Sequence, residues 1–190
     1  MKRIHLFEFE DMPWFPDWIR VLMTRYIMTF HKILGTAGLL EKLVEKGLQK
    51  SEALFILDLC SGSGGPMLDV AENLRTSGRF PDLKLMLSDL YPNHEAAKSI
   101  NQKNDALVAY LTDPLDATQV RKGLVGLRTM VSSMHHMKPE LARKILKNAK
   151  EANQPILIFE ISANSAPIFL WWLAMPFAFI VTVIFTRLVR

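Results

Sequence analysis

The spacing of apolar positions changes twice along this chain. Up to about residue 50 it is helical. Trp18, Leu22, Tyr26, Ile27, Phe30 and Ile33 recur on one stripe, and Leu39, Leu40, Leu43, Val44 and Leu48 form a second after Gly38. Pro16 suits the first turn of a helix. Two helices are therefore expected before any strand.

From about residue 51 to 162 short apolar runs alternate with helical stretches. The runs cover 54–59, 83–87, 106–111, 129–131 and 155–159. Helical patterns over 65–76, 94–103 and 139–152 separate them, the last with Leu141, Ile145, Leu146 and Ala149 on one face. Such alternation predicts a parallel sheet with helices on both sides. Right-handed crossovers then fix most of the topology. The expected fold class is α/β, a doubly wound sheet of about five parallel strands.

The remainder, 163–190, is an apolar tail, and no residue from 161 to 186 is charged. Roughly 20 apolar residues in a helix would reach about 30 Å, enough for a bilayer core. Pro176 would kink or break that helix. With the sheet in the cytoplasm, a single crossing would also place Arg187 and Arg190 outside, against the positive-inside tendency. The expectation is a kinked helical hairpin, monotopic or lid-like, against the sheet edge and a membrane surface. An uncovered fifth strand would be an aggregation liability, so a second copy of the chain is another candidate to cover that edge.

Composition narrows the function. The chain has 190 residues, nearly half of them hydrophobic, which suffices for one domain with a sizeable core. Its net charge of +4 comes from 23 basic and 19 acidic residues scattered without runs. Nothing there marks a nucleic-acid surface. Cys60 is the single cysteine, so an internal disulfide and a cysteine-based zinc site are both excluded. The opening MKRIHLFEFEDMPW lacks an apolar core segment and does not read as a signal peptide. A cytoplasmic setting is the expectation.

The candidate chemistry sits where the first strand meets the next helix, in ILDLCSGSGGP, residues 56–66. Glycine there lets the backbone turn sharply and approach a ligand. A nucleoside triphosphate loop needs a lysine and a hydroxyl residue after the last glycine, but Pro66 and Met67 follow. A dinucleotide loop needs a third glycine, and Met67 stands in its place. An acid, Asp58, followed by Gly62-Ser-Gly64 suits S-adenosylmethionine: the acid orders the ammonium end, directly or through water, and the glycines pack under sulfonium and ribose. Asp89, ending the second strand, is placed to bind both ribose hydroxyls. Leu90 and Tyr91 would flank the adenine. Capping is the competing role for an acid just before Asn93.

These residues resemble class I S-adenosylmethionine-dependent methyltransferases, whose loop usually reads D-x-G-x-G-x-G. Here Cys60 replaces the first glycine, which implies a slightly different turn. The stretches FEFEDMPWFPDWIR, DLCSGSGGP, SDLYPN, SSMHHMKPELARKIL and PILIFEIS look like a bacterial group of that class whose acceptors are largely unassigned. The resemblance implies a Rossmann-like cofactor domain over 51–162. Residues 1–50 would form a helical cap that places Trp14, Phe15 and Trp18 near the acceptor. It implies Asp116 as the acid that meets the adenine amino group, with helix capping as the competing role and Asp113 as the alternative. It also implies seven strands, two more than the runs supply.

The fourth strand ends in TMVSSMHHMKPE, without the Asn- or Asp-Pro-Pro-aromatic signature of amine-modifying relatives. His135 or His136 could remove an acceptor proton. No third ligand at metal-site spacing accompanies them. The expected function is methyl transfer from S-adenosylmethionine to a small-molecule or lipid-like acceptor. The alternatives are an NAD(P)-dependent oxidoreductase, disfavoured by the absence of a Tyr-x-x-x-Lys pair, and a non-catalytic, membrane-associated binding protein on the same scaffold.

Overall fold

The structure, a computed structural model, describes residues 35–51 and 54–160, together with Trp14, Pro16, His31 and Leu173. The tail apart from Leu173, most of the N-terminal cap, Phe15 and Trp18 lie outside the described residues. Among the described residues, no helix is long and apolar enough to cross a membrane.

Helix α1 (Thr36–Ser51) buries Leu40, Val44 and Leu48, spaced by four so that they share one face. Strand β1 (Phe55–Leu59) follows, then α2 (Met67–Thr76), β2 (Lys84–Ser88), α3 (His94–Asn101) and β3 (Val108–Tyr110). The chain returns to β4 (Leu127–Val131), makes one 3₁₀ turn (Met134–His136), and ends its described course with α4 (Pro139–Glu151) and β5 (Ile156–Phe159). Local chemistry accounts for the helix starts. Asn93 caps α3 by accepting from Ala96 N–H at 3.0 Å. Pro139 occupies the first turn of α4, where its missing N–H costs nothing.

All strand pairs are parallel, and the order is β3-β2-β1-β4-β5. This is the doubly wound sheet expected: the chain steps outward from β1 to β3, then resumes at β4 on the other side of β1. Apolar side chains fill both faces. On one, Ile56, Leu85 and Leu127 pack with α1, α2 and α3; on the other, Leu57, Leu59 and Met130 pack with Ile145 of α4 and with Leu115 and Val120. The strand order reverses between β1 and β4, so the crevice outside their carboxyl ends is where such a sheet receives a ligand. Asp58 stands there, level with Leu87 of β2 and Thr129 of β4.

Candidate ligand site at the carboxyl ends of the strands

After β1 the chain passes through a run of left-handed residues: Cys60 at φ 57°, Gly62 at 56°, Gly64 at 98° and Gly65 at 47°. Cys60 thus holds the backbone hand that glycine favours. A left-handed L-residue costs roughly 1–2 kcal/mol, while glycine's extra freedom in the unfolded chain takes back about 0.5–1 kcal/mol. Cys60→Gly is therefore expected to change stability by no more than about 1.5 kcal/mol and to keep the loop. Chemical denaturation checks this. A loss well above 2 kcal/mol would mean that the thiol's packing, not the backbone, sets the turn.

Asp58 lies beneath this loop and is only 3% exposed. Thr129 donates its hydroxyl to Oδ1 and Ser61 donates to Oδ2 at 2.7 Å. Burial pushes the carboxyl up to about 7, against the pull of these two hydroxyls, and the nearby Asp89 charge adds to the rise. Ser61 also ties the loop to β2, where its N–H donates to Ser88 O at 3.0 Å and its Oγ accepts from Ser88 N–H at 3.2 Å.

Asp89 spans two elements. Its Oδ2 accepts from Gly62 N–H at 2.9 Å and its Oδ1 accepts from Tyr91 N–H at 3.0 Å. The acid that ends β2 therefore holds the glycine loop in place. Tyr110 at the end of β3 completes the brace: its hydroxyl donates to Gly62 O at 2.7 Å and accepts from Asn93 N–H at 3.3 Å. Asn93 Nδ2 reaches Ser63 Oγ at 2.9 Å. Tyr110 is 2% exposed. Burial raises its pKa, with the Asn93 N–H pulling the other way, so it stays a neutral donor.

The remaining sequence candidates lie on other parts of the described chain. Leu90 and Tyr91 are exposed beside Asp89. Asp116 accepts both the N–H and the hydroxyl of Thr118 at 2.7 Å through Oδ1. It caps a turn rather than the helix that was the competing expectation, since no helix follows it before β4. Trp14 is exposed. His135 and His136 lie in the 3₁₀ turn after β4 with their rings 4.2 Å apart.

Two residues of this end of the sheet escaped sequence reasoning. Glu160, just past β5, accepts from Met134 N–H at 2.8 Å and binds His135 Nδ1 at 2.7 Å. Burial would raise its carboxyl, but the His135 ring and the N–H groups of Met134 and His135 outweigh that and hold it low. His31 is buried against β4's end. Its Nδ1 meets Thr36 Oγ1 at 2.7 Å and its Nε2 lies 3.5 Å from Ser132 Oγ. Burial lowers its pKa. The Thr36 hydroxyl also lies 3.2 Å from His31 O, and a ring protonated at Nδ1 lets that hydroxyl accept from the ring while donating to the carbonyl. No sequence spacing links either residue to its partner.

Among known proteins, no family model matches the chain, and no curated protein sequence matches it. Among solved structures it is similar to the crystal structure of the trans-methyltransferase CalH in complex with SAH. That match has a TM-score of 0.48 and 21% sequence identity, covering 62% of this chain and 35% of that one. The chain thus spans about a third of the length of that protein.

Proposed function

We propose that the chain binds S-adenosylmethionine and transfers its methyl group to a small-molecule or lipid-like acceptor. The observation that carries this reading is the Asp89 carboxylate, joined to the glycine loop at the switch point of the sheet. A carboxylate oxygen can accept more than one hydrogen bond. Asp89 can therefore keep its two N–H partners and still receive the two vicinal hydroxyls of a ribose. The loop below would carry the sulfonium and methionine, with Asp58 acting on the ammonium through its charge and through Ser61. A dinucleotide fits less well. The third glycine of that loop serves close packing of helix on strand, whereas here Met67 is fully buried in that place.

Once cofactor is bound, its sulfonium supplies the leaving group. What the protein contributes is in-line placement of acceptor and methyl, and exclusion of water.

Mass spectrometry of ligand retained through purification tests the cofactor class, with S-adenosylmethionine or its demethylated product expected. Titration calorimetry tests the residue. Asp89→Ala is expected to weaken S-adenosylmethionine by about 1.5–3 kcal/mol, the scale for bonds to a charged group, with the fold retained. An unchanged affinity would remove the ribose role. Tight NADH binding without S-adenosylmethionine binding would replace the methyltransferase reading with an oxidoreductase.

A further inference from the structure

β4 and β5 run side by side with Val131 level with Phe159, so the residues that follow them meet above the sheet. Ser132 N–H donates to Phe159 O at 2.7 Å, which fixes the two exits together. From there the chain places two groups face to face. Glu160 Oε1 accepts Met134 N–H at 2.8 Å, anchoring the carboxylate to the 3₁₀ turn. Its Oε2 lies 2.7 Å from His135 Nδ1. The two side chains are 34% and 26% exposed, so a dissolved molecule can reach them. The His136 ring packs at a tilt against His135, 4.2 Å away.

An ionised carboxylate only accepts hydrogen bonds, so the hydrogen between Glu160 and His135 sits on Nδ1. In the neutral imidazole the basic lone pair is then on Nε2. This is how a carboxylate sets the tautomer of a base.

We propose that His135 takes a proton from a hydroxyl group of the methyl acceptor and that Glu160 is the residue positioning it. The inference rests on the methyltransferase reading above. Its substance is the acceptor class. An aromatic amine, unprotonated at neutral pH, attacks a sulfonium methyl with its own lone pair and loses its proton afterwards. A thiol, with a pKa near 8.5, is already partly ionised at neutral pH. A phenol-like hydroxyl, with a pKa near 10, is almost wholly protonated and gains most from a base held at its oxygen. In the step, the O–H proton passes to His135 Nε2 and the oxygen forms a bond to the methyl carbon. The carbon–sulfur bond breaks with its electron pair left on sulfur. The products are the methyl ether, S-adenosylhomocysteine and an imidazolium facing Glu160. That imidazolium then loses its proton to water.

The test uses methyl-tritiated S-adenosylmethionine with two acceptors of one shape, 2-naphthol and 2-naphthylamine. Label is expected on the naphthol, more than about 10-fold faster than on the amine. His135→Ala should lower kcat by about 100-fold or more. Glu160→Gln is the sharper variant. Its carbonyl can keep the Met134 anchor, while its amide presents hydrogens to Nδ1 and turns the tautomer over. The expected result is a loss in kcat of similar size with KM little changed. The ¹⁵N spectrum of His135 should move from the Nδ1–H to the Nε2–H form, and Glu160→Asp should recover part of the rate. Equal labelling of the amine overturns the hydroxyl assignment, and so does absence of label on both compounds when calorimetry shows cofactor bound. A Glu160→Gln protein with unchanged kcat and tautomer overturns the positioning role. If S-adenosylmethionine does not bind at all, the failure belongs to the methyltransferase reading instead.

Discussion

A Gly64→Val protein is expected to lose about 2–6 kcal/mol of stability and all measurable affinity for S-adenosylmethionine. Two independent costs act at this position. Its φ of 98° is one that L side chains rarely adopt, and β-branched residues least of all. A Cβ there would also come within 2.8 Å of Leu68 Cδ1 and 3.2 Å of Leu87 Cδ1. The substituent therefore points into the core between α2 and β2 and not out toward a ligand. Backbone strain of this kind costs roughly 1–3 kcal/mol, and overpacking a filled core adds about 1–3 kcal/mol. For a domain of this size the melting temperature should fall by roughly 5–20 °C. Binding is lost because the loop that presents Gly62 to Asp89 no longer forms. Gly64→Ala, with the same backbone cost and a smaller intrusion, should retain part of both properties. A Gly64→Val protein that melts like the parent and binds normally would show that the loop tolerates another path and does not shape the site.

The alternation of runs and helical stretches placed every strand in the right order along the chain. The errors lie at strand ends and have physical reasons. β4 reads from the apolar pattern as 129–131 but begins at Leu127, because the charge of Arg128 interrupts the run. That arginine is 1% exposed and donates from Nη1 to Asn148 Oδ1 of α4 at 2.7 Å, a long-range partner that no local pattern reveals. β3 reads as 106–111 but pairs only over Val108–Tyr110. Asp105 takes the N–H groups of Leu107 and Val108 into a turn before pairing starts.

The meeting of Asp89 with the glycine loop was legible for the same reason as the fold. An acid at the end of one strand and glycines at the end of its neighbour are brought together by the sheet order itself. Which hydrogen bond joins them was not legible, since the Gly62–Asp89 contact spans 27 positions. Glu160 shows the limit more clearly. Its sequence neighbours mark it only as a polar residue after a strand, and its partnership with His135 depends on the register of β4 against β5. His31 meets Ser132 across 101 positions and carries no local signal at all.

Binding of S-adenosylmethionine near neutral pH is expected to release protons, and the source is Asp58. Its carboxyl rises from the ordinary 3.8 to about 7 because it is buried, with the Thr129 and Ser61 hydroxyls opposing the shift and Asp89 adding to it. The sign for folding follows from linkage. Between roughly pH 4 and 7 the folded protein holds a proton that the unfolded chain has lost. The contribution of this group to stability is therefore fully present below the unfolded value and is lost as pH rises through about 7. The sign for binding is opposite. A ligand ammonium over the loop favours the charged carboxylate, drives the proton off and binds more tightly as pH rises from 6 to 8. In calorimetry the apparent enthalpy at pH 6.5 should differ between phosphate and Tris buffers in proportion to their ionisation enthalpies, with a slope of up to about one proton. Asp58→Asn keeps the shape and can still bond Ser61 and Thr129, because both hydroxyls can accept as well as donate. It should flatten the pH dependence of melting between pH 5 and 8, abolish the buffer dependence, and weaken the cofactor most at high pH. A buffer-independent enthalpy in the parent protein would mean that the ligand's cation does not sense Asp58, and the ammonium would then have to be placed elsewhere along the ends of the strands.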